Sequence, residues 1–183
     1  MSYIELETAT NFSFLEGASH AEELVDEARD LGHAGIGIAD RNTLAGVVRA
    51  YNVIVDEPEA YEGFKLLIGA RLALRDGFEV LCYPTDRAAY GRLSRLLTIG
   101  KRRAPKGECF LDLPDVLEWG EGQVFIACQP ERPEEDMHLE RVRMFARRFP
   151  KHVYQAATWR YDGDDRRRLK RLSWMASQRS EDT

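Results

Sequence analysis

The chain has 183 residues, a length that suits one domain, and 44% of them are hydrophobic while 31% are charged. No apolar run approaches the roughly twenty residues that cross a bilayer, and the amino terminus lacks a secretory signal, so we expect a cytoplasmic protein without a membrane partner. The formal net charge of −5 disfavours contact with phosphate backbones unless positive charge is locally concentrated.

The first elements follow a strand–helix pattern. Residues 3–8 predict a strand. Ser19 and Glu22 have the spacing of a capping box and predict a helix start, and Gly32 supplies a left-handed stop. The apolar face predicted for this helix comprises Leu24, Val25, Ala28 and Leu31.

A second strand and helix are predicted next. The strand covers 36–39, with Asp40 at its carboxyl end, and the helix covers 43–55. Its predicted inner side comprises Leu44, Val47, Val48 and Tyr51.

The middle of the chain predicts a hairpin. Residues 64–74 form the longest strand candidate, and Asp76-Gly77 turns the chain back into an apolar run at 80–83. Thr85 or Asp86 caps the next predicted helix, which Gly100 ends. Its apolar face comprises Tyr90, Leu93, Leu96 and Leu97.

The rest of the chain continues the alternation. A basic connector at 101–107 precedes a short helix near 113–119, a strand at 124–128 and an acidic loop at 130–136. A helix with Phe145 and Phe149 on its apolar face, a strand at 153–157 and a helix from about Asp164 follow. This makes roughly five barrel-type strands plus one hairpin strand, fewer than a closed β/α barrel requires.

Two basic clusters interrupt the acidic composition. The first comprises Lys101, Arg102, Arg103 and Lys106. The second runs from 166 to 171 and is interleaved with leucines at helical spacing, so we interpret it first as the solvated face of an amphipathic helix.

Four stretches resemble one family. Residues 10–20 (TNFSFLEGASH), 38–46 (IADRNTLAG) and 67–72 (LIGARL) are similar to the signatures of PHP domains in bacterial replicative and error-prone DNA polymerases. Residues 81–93 (LCYPTDRAAYGRL), followed by KGEC at 106–109, resemble the error-prone branch in particular. The resemblance predicts a PHP domain over 1–176, incomplete at its carboxyl end, and a polar tail over 177–183.

The resemblance implies an α/β fold, a distorted (β/α)7 barrel that is here truncated after about five barrel strands. In active members the strand ends hold up to three metal ions that activate water for phosphoester hydrolysis. In polymerases the domain lies beside the palm, where it proofreads or braces the assembly.

The resemblance also places the family's metal ligands on five positions of this sequence. Glu7 and Ala9 match a His-x-His pair, Asp40 and Arg41 match an Asp-His pair, and Arg71 matches a glutamate. Alanine offers no lone pair and a guanidinium is a permanent cation, so we expect a vestigial site without metal and without catalytic residues.

The cations at these positions suggest what replaced the metals. Without metal ions, the carboxylates of Glu7 and Asp40 would face each other in the pocket, which costs free energy if they are buried. The positive charges of Arg41 and Arg71 would neutralise them. We hypothesise that an arginine–carboxylate network replaces the metals; independent drift of these residues after activity was lost remains open as the alternative.

Other metal-binding patterns are weak. The four histidines do not pair at ligand spacing, and we interpret His20, His33, His138 and His152 as surface or capping residues. The cysteines Cys82, Cys109 and Cys128 are odd in number and far apart, which predicts reduced thiols.

The function expected from the resemblance is that of an accessory domain of an error-prone polymerase, silent in isolation and with no cofactor of its own. Its partner would be the remainder of the polymerase, which would use Mg²⁺ in replication and translesion synthesis. The domain would contact DNA only as part of the full-length enzyme. Two alternatives are a metal-dependent phosphoesterase of the PHP family and a non-enzymatic, truncated interaction module that self-associates through an open sheet edge.

Overall fold

Six strands form one sheet in a computed structural model that describes residues 3–129, 135–159, 161 and 163–177. The strands are β1 (Ile4–Thr8), β2 (Gly35–Arg41), β3 (Lys65–Ala73), β4 (Glu79–Pro84), β5 (Gln123–Ala127) and β6 (Val153–Gln155). The helices are α1 (Ala21–Asp30), α2 (Val47–Asp56), α3 (Arg87–Arg103), α4 (Leu113–Trp119), α5 (Glu135–Arg148) and α6 (Asp165–Ser177).

The order of the strands across the sheet is their order along the chain. Strands β1, β2 and β3 are parallel, β4 is antiparallel to both β3 and β5, and β6 is parallel to β5. In the described part of the chain β1 and β6 are the two edges, so the sheet curls as a half-barrel and does not close. The expected α/β fold, with one hairpin strand inserted in an incomplete barrel, is confirmed.

The hairpin between β3 and β4 determines which side chains of the two strands are neighbours. Gly77 has a φ of +87°, a left-handed conformation that glycine adopts without strain, and the Phe78 N–H donates to Asp76 Oδ1 at 3.0 Å. Arg71 pairs with Leu81 across the hairpin. Glu79 is therefore the diagonal neighbour of Arg71 on the same face of the sheet.

Helices cover the outer face of the half-barrel. Helices α1 and α2 pack on β2 and β3 through Val25, Ile38 and Ala50, while α3, α4 and α5 pack on β3, β4 and β5. Phe125 and Phe145 meet edge to face, with ring centroids 5.0 Å apart. Burying each such ring contributes about 3 kcal/mol, so this face is the main source of the stability that holds the site.

The inner face is apolar at one end and charged at the other. Tyr83 fills the apolar end, because a Cβ on Gly37 or Gly69 would lie 2.5 Å from its ring or hydroxyl, and its hydroxyl donates to the Leu6 carbonyl. The charged end lies at the carboxyl ends of β1, β2 and β3. Parallel strands of β/α folds place their functional side chains at this end.

Helix α1 differs in detail from the sequence prediction. Its N-cap is His20 rather than Ser19, since the His20 N–H donates to Glu23 at 2.8 Å, and Leu31 is exposed. Gly32 has the predicted left-handed φ of +74°.

The predicted faces of α2 and α3 were partly wrong. Val48, Tyr51 and Tyr90 are exposed, because the apolar residues of these helices lie on more than one side and only one side meets the sheet. Helix α3 continues past Gly100 to Arg103, so Lys101 belongs to the helix and not to a connector.

The predictions for the carboxyl-terminal part fall only partly on described residues. Most of the acidic loop at 130–136 lies outside the described residues, and α5 already begins at Glu135. The polar tail at 177–183 lies outside them as well, apart from Ser177, the last residue of α6. None of the described helices has the length and apolar content needed to traverse a membrane.

Candidate functional site

A cleft of about 990 Å³ opens at the charged end of the half-barrel. Four of the five positions predicted as vestigial metal ligands line it, namely Glu7, Ala9, Arg41 and Arg71. Asp40, the fifth, lies behind the cleft wall with no solvent exposure.

Arg71 lies at the centre of the charges. Its Nη2 is 2.6 Å from Glu7 Oε1 and its Nη1 is 3.4 Å from Glu79 Oε2. Burial disfavours the guanidinium charge, but the Cys128 thiolate, which forms only at alkaline pH, and the Glu7 and Glu79 carboxylates outweigh it and raise the pKa of Arg71. Arg71 therefore stays cationic, and it joins β1 to the β3–β4 hairpin.

Arg41 extends the same network. Its Nη1 is 2.5 Å from Glu79 Oε1 and 3.0 Å from Glu16 Oε1. Arg41 and Arg71 are register partners on adjacent parallel strands, where like charges repel. Glu79 accepts from both of them and so relieves that repulsion.

The network is thus a chain of alternating charges that runs from Glu7 through Arg71, Glu79 and Arg41 to Glu16. We name these five residues the arginine–glutamate cluster. Arg71 forms the kind of arginine–carboxylate contact that the hypothesis expected, with Glu7 as its partner. Glu5 adds a fourth glutamate to the cleft lining and accepts the Glu7 N–H at 2.8 Å.

Asp40 does not take the role that the sequence predicted. Its Oδ1 accepts from the Thr10 N–H at 2.7 Å and from the Ser13 hydroxyl at 2.7 Å, and its Oδ2 accepts from the Thr10 hydroxyl at 2.8 Å. The predicted neutralisation of Asp40 by an arginine is therefore wrong. Asp40 instead anchors the loop of residues 10–19, because hydroxyl and amide donors satisfy its buried charge.

His138 was predicted to be a surface or capping residue and is buried. Its ring lies 5.5 Å from that of Phe78, and its Nε2 is 2.8 Å from Gln155 Oε1. Burial lowers the pKa of His138, although the Gln155 hydrogen bond opposes the shift. Burial likewise raises the pKa of Cys128, on the same cleft wall, to about 12, so both groups are neutral near pH 7.

The donor set of the cleft does not fit the metal cluster that the resemblance implies. Ala9 has no donor atom, Arg41 and Arg71 stand among the carboxylates, and both Asp40 oxygens already accept hydrogen bonds. Among the described residues no three histidine, cysteine, aspartate or glutamate side chains converge as metal ligands.

Sequence reasoning missed Glu79, Glu16, Thr10 and Ser13. Glu79 is the diagonal neighbour of Arg71 in the observed hairpin register, but the Asp76-Gly77 turn signal alone does not fix that register. The other three lie on or beside an irregular loop, where neither helical nor strand periodicity indicates which side chains turn inward.

The two basic clusters lie on different elements. Lys101 and Lys106 line a second cleft, of about 800 Å³, beside the arginine–glutamate cluster. Arg166 and Arg167 are exposed in the first turn of α6.

Comparison with known sequences decides the family. The family model described as PHP domain matches residues 5–143, well over half of the chain. The chain belongs to the PHP domain family. This PHP domain closely matches the amino-terminal region of bacterial error-prone DNA polymerases.

Two of these polymerases illustrate the match. The error-prone DNA polymerase of Rhodopseudomonas palustris strain BisB5 is 46% identical over 179 residues, and that of Brucella abortus biovar 1 is 48% identical over 178 residues. Each alignment covers 96% of this chain but only 16% of the polymerase.

Solved structures confirm the fold. A protein of Bifidobacterium adolescentis, described as a metal-dependent phosphoesterase, superimposes with a TM-score of 0.69 at 16% identity and covers 98% of this chain and 84% of its own. An amidohydrolase of Chromobacterium violaceum, with bound sulfate and no metal, gives 0.66 at 14% identity with the same coverage. At these identities the likeness concerns the fold alone.

Proposed function

We propose that this PHP domain is a catalytically silent, structural part of an error-prone DNA polymerase. The observation that carries the proposal is the 2.6 Å ion pair between Arg71 and Glu7, which occupies two positions where the resemblance expects metal ligands. A guanidinium supplies positive charge at the strand ends without offering an open coordination position for water, so it replaces the structural role of a metal but not its chemistry.

Asp40 supports the same proposal. It is the one expected ligand position that keeps the residue type of the family pattern, yet its oxygens are committed to Thr10 and Ser13. A metal would have to displace three hydrogen bonds from a fully buried carboxylate, each of which contributes about 1.5–3 kcal/mol because the acceptor is charged. Asp40 therefore holds a loop in place of a metal.

The partner that we propose is the rest of the polymerase. The homologous polymerases are much longer than this domain, which covers 16% of each. Trp159, Tyr161 and Trp174 are exposed near the carboxyl-terminal end, and large exposed aromatic side chains are typical of contact surfaces. Nucleotidyl transfer with Mg²⁺, in translesion synthesis in the cytoplasm, would belong to that remainder.

One observation favours the alternative of a metal-dependent phosphoesterase. Four glutamates line the cleft against two arginines, which leaves an excess of negative charge that attracts divalent cations. Hydrolysis requires an activated water as well as a cation, and the cluster lacks the imidazole ligands from which the resemblance builds the hydrolytic centre.

Hydrolysis of bis(p-nitrophenyl) phosphate in manganese buffer tests the proposal. We expect the wild-type rate to equal that of buffer with manganese alone. A variant that restores the ligand pattern, Glu7→His, Ala9→His, Arg41→His and Arg71→Glu, is the matched comparison and should gain manganese affinity. Wild-type turnover above background that Glu7→Ala removes would reject silence and favour the phosphoesterase.

A further inference from the structure

The second cleft gathers positive charge that is scattered in the sequence. It lies between the residues that follow β2, the β3–β4 turn and the loop after α3, and its basic lining comprises Arg41, Arg75, Lys101 and Lys106. Glu108 is the only acidic side chain among its described lining residues. On a chain of net charge −5, this cleft is the local concentration of cations that contact with phosphates requires.

Two of these cations are available to a ligand. Arg75 is held by Asp112, with Nε 2.8 Å from Oδ1, and Arg41 is held in the arginine–glutamate cluster. Lys101 and Lys106 are exposed, and no carboxylate of the described residues forms an ion pair with either of them. Within the described part of the chain, Lys101 Nζ donates a hydrogen bond to the Thr43 hydroxyl alone, at 3.4 Å.

An aromatic ring lines the same cleft as the two lysines. Phe12 lines the cleft and is 41% exposed. Its backbone N–H donates to the Thr10 hydroxyl at 3.2 Å, and Thr10 is fixed in turn by the buried Asp40. The ring is thus presented from an anchored loop, which reduces the entropy that a ligand must overcome to stack on it.

We infer that this cleft binds single-stranded DNA, with phosphates at Lys101 and Lys106 and a base stacked on Phe12. Cations that follow a backbone together with an aromatic platform are the features by which proteins hold unpaired strands, whereas a duplex keeps its bases stacked on each other. The inference goes beyond the proposed function. It also departs from the expectation that the domain meets DNA only through the full-length polymerase, because the sequence alone did not place Phe12 and the lysines in one cleft.

Fluorescence anisotropy of the 183-residue chain with a labelled oligothymidylate of about 15 nucleotides tests the inference. At about 50 mM NaCl we expect a dissociation constant of about 1–100 µM. The double variant Lys101→Ala with Lys106→Ala should weaken binding about tenfold and reduce the slope of log affinity against log salt by about 1.4, since two phosphate contacts are lost.

Two matched controls separate the cleft from general charge and apolarity. Arg166→Ala with Arg167→Ala removes the same charge from α6 and should leave the affinity within about twofold. Phe12→Ala should weaken binding about fivefold or more, whereas Phe14→Ala, on the same loop but outside the cleft lining, should not.

The outcomes are decisive in both directions. Saturable binding that depends on Lys101, Lys106 and Phe12 supports the inference. Absence of wild-type binding, equal losses in the α6 control, or equal affinity for a duplex of the same length would overturn it. Tighter binding of free deoxythymidine triphosphate than of the oligonucleotide would also overturn it. None of these results depends on metal content or hydrolysis, so they stand apart from the test of the proposed function.

Discussion

Arg71 and Glu7 are 64 residues apart in the chain, yet their side chains form a 2.6 Å ion pair at the end of the half-barrel. The pair spans β2, because β1 and β3 lie on either side of it. Residues that the resemblance assigns to metal coordination thus hold together the same strand ends through their own charges.

Glu79 should be the most sensitive residue of the arginine–glutamate cluster. It separates the guanidinium groups of Arg41 and Arg71, so Glu79→Gln leaves two like charges side by side. We expect a loss of about 1–2 kcal/mol in the free energy of unfolding, measured by urea denaturation. Glu22→Gln, which breaks only the exposed pair with Arg49, should cost less than about 0.5 kcal/mol.

A double-mutant cycle measures how far the effect of Glu79→Gln depends on the charge of Arg41. Adding Arg41→Gln to Glu79→Gln should recover part of the lost stability, because the repulsion then disappears. Strict additivity of the two substitutions would show that Glu79 does not act as the bridge.

Asp40→Asn should destabilise the domain by about 3 kcal/mol in urea denaturation. The asparagine carbonyl can still accept from the Thr10 N–H and the Ser13 hydroxyl, but its NH2 group replaces Oδ2, to which the Thr10 hydroxyl donates, and all three hydrogen bonds lose the carboxylate charge that strengthens them. Cleavage near the exposed Phe14 and Leu15 by limited proteolysis should accelerate, since the loop loses its anchor. The exposed Asp30→Asn is the control, and equal effects of the two substitutions would contradict the anchoring role.

His138 should make stability fall at mildly acidic pH. Burial lowers its folded-state pKa below the ordinary 6.5. The unfolded chain therefore takes up the proton first, so the stability due to neutral His138 is complete above pH 6.5 and is lost as the pH falls through the folded-state pKa.

His138→Gln tests this relation. We expect the free energy of unfolding of the variant to decline less than that of the wild type between about pH 7 and pH 5. His152→Gln, at an exposed histidine, should retain the wild-type dependence. Identical slopes for the wild type and His138→Gln would show that His138 does not carry the effect.

The open edge of the sheet should cause self-association of the isolated chain. Strand β6 has no neighbour on its outer side in the described part of the chain, and Tyr154 on it is exposed. Unpaired edge strands pair readily with other chains. We expect the sedimentation coefficient of the chain to rise with its concentration. Tyr154→Lys should suppress this rise. If Tyr51→Lys suppresses it instead, the contact lies on α2 and not on the sheet edge.

The sequence predicted the order of the elements because the apolar runs, the hairpin turn and the helix patterns are local signals. The family resemblance placed Glu7 and Arg71 at strand ends and led to the hypothesis of an arginine–carboxylate network, but the sequence did not predict which arginine pairs with which carboxylate. The role predicted for Asp40 was wrong for a physical reason. Thr10 and Ser13 donate hydrogen bonds to its carboxylate, and both lie in an irregular loop, where no periodic pattern in the sequence indicates which side chains turn inward.

The helix faces show a second limit. Val48 and Tyr51 fit an apolar stripe but point to solvent, because α2 has apolar residues on more sides than one sheet can cover. His138 is the opposite case, since a polar residue became buried once Gln155 on β6 provided a hydrogen bond. Both depend on tertiary partners that are distant in the chain.

The most direct test of the replaced metal site is the metal content of the chain after purification in chelator-free buffer, measured by inductively coupled plasma mass spectrometry. We expect manganese, zinc and iron far below one ion per chain, because guanidinium groups occupy the charge positions at the strand ends. One or more ions per chain that are lost in Glu7→Ala would contradict the replacement of metals by the arginine–glutamate cluster.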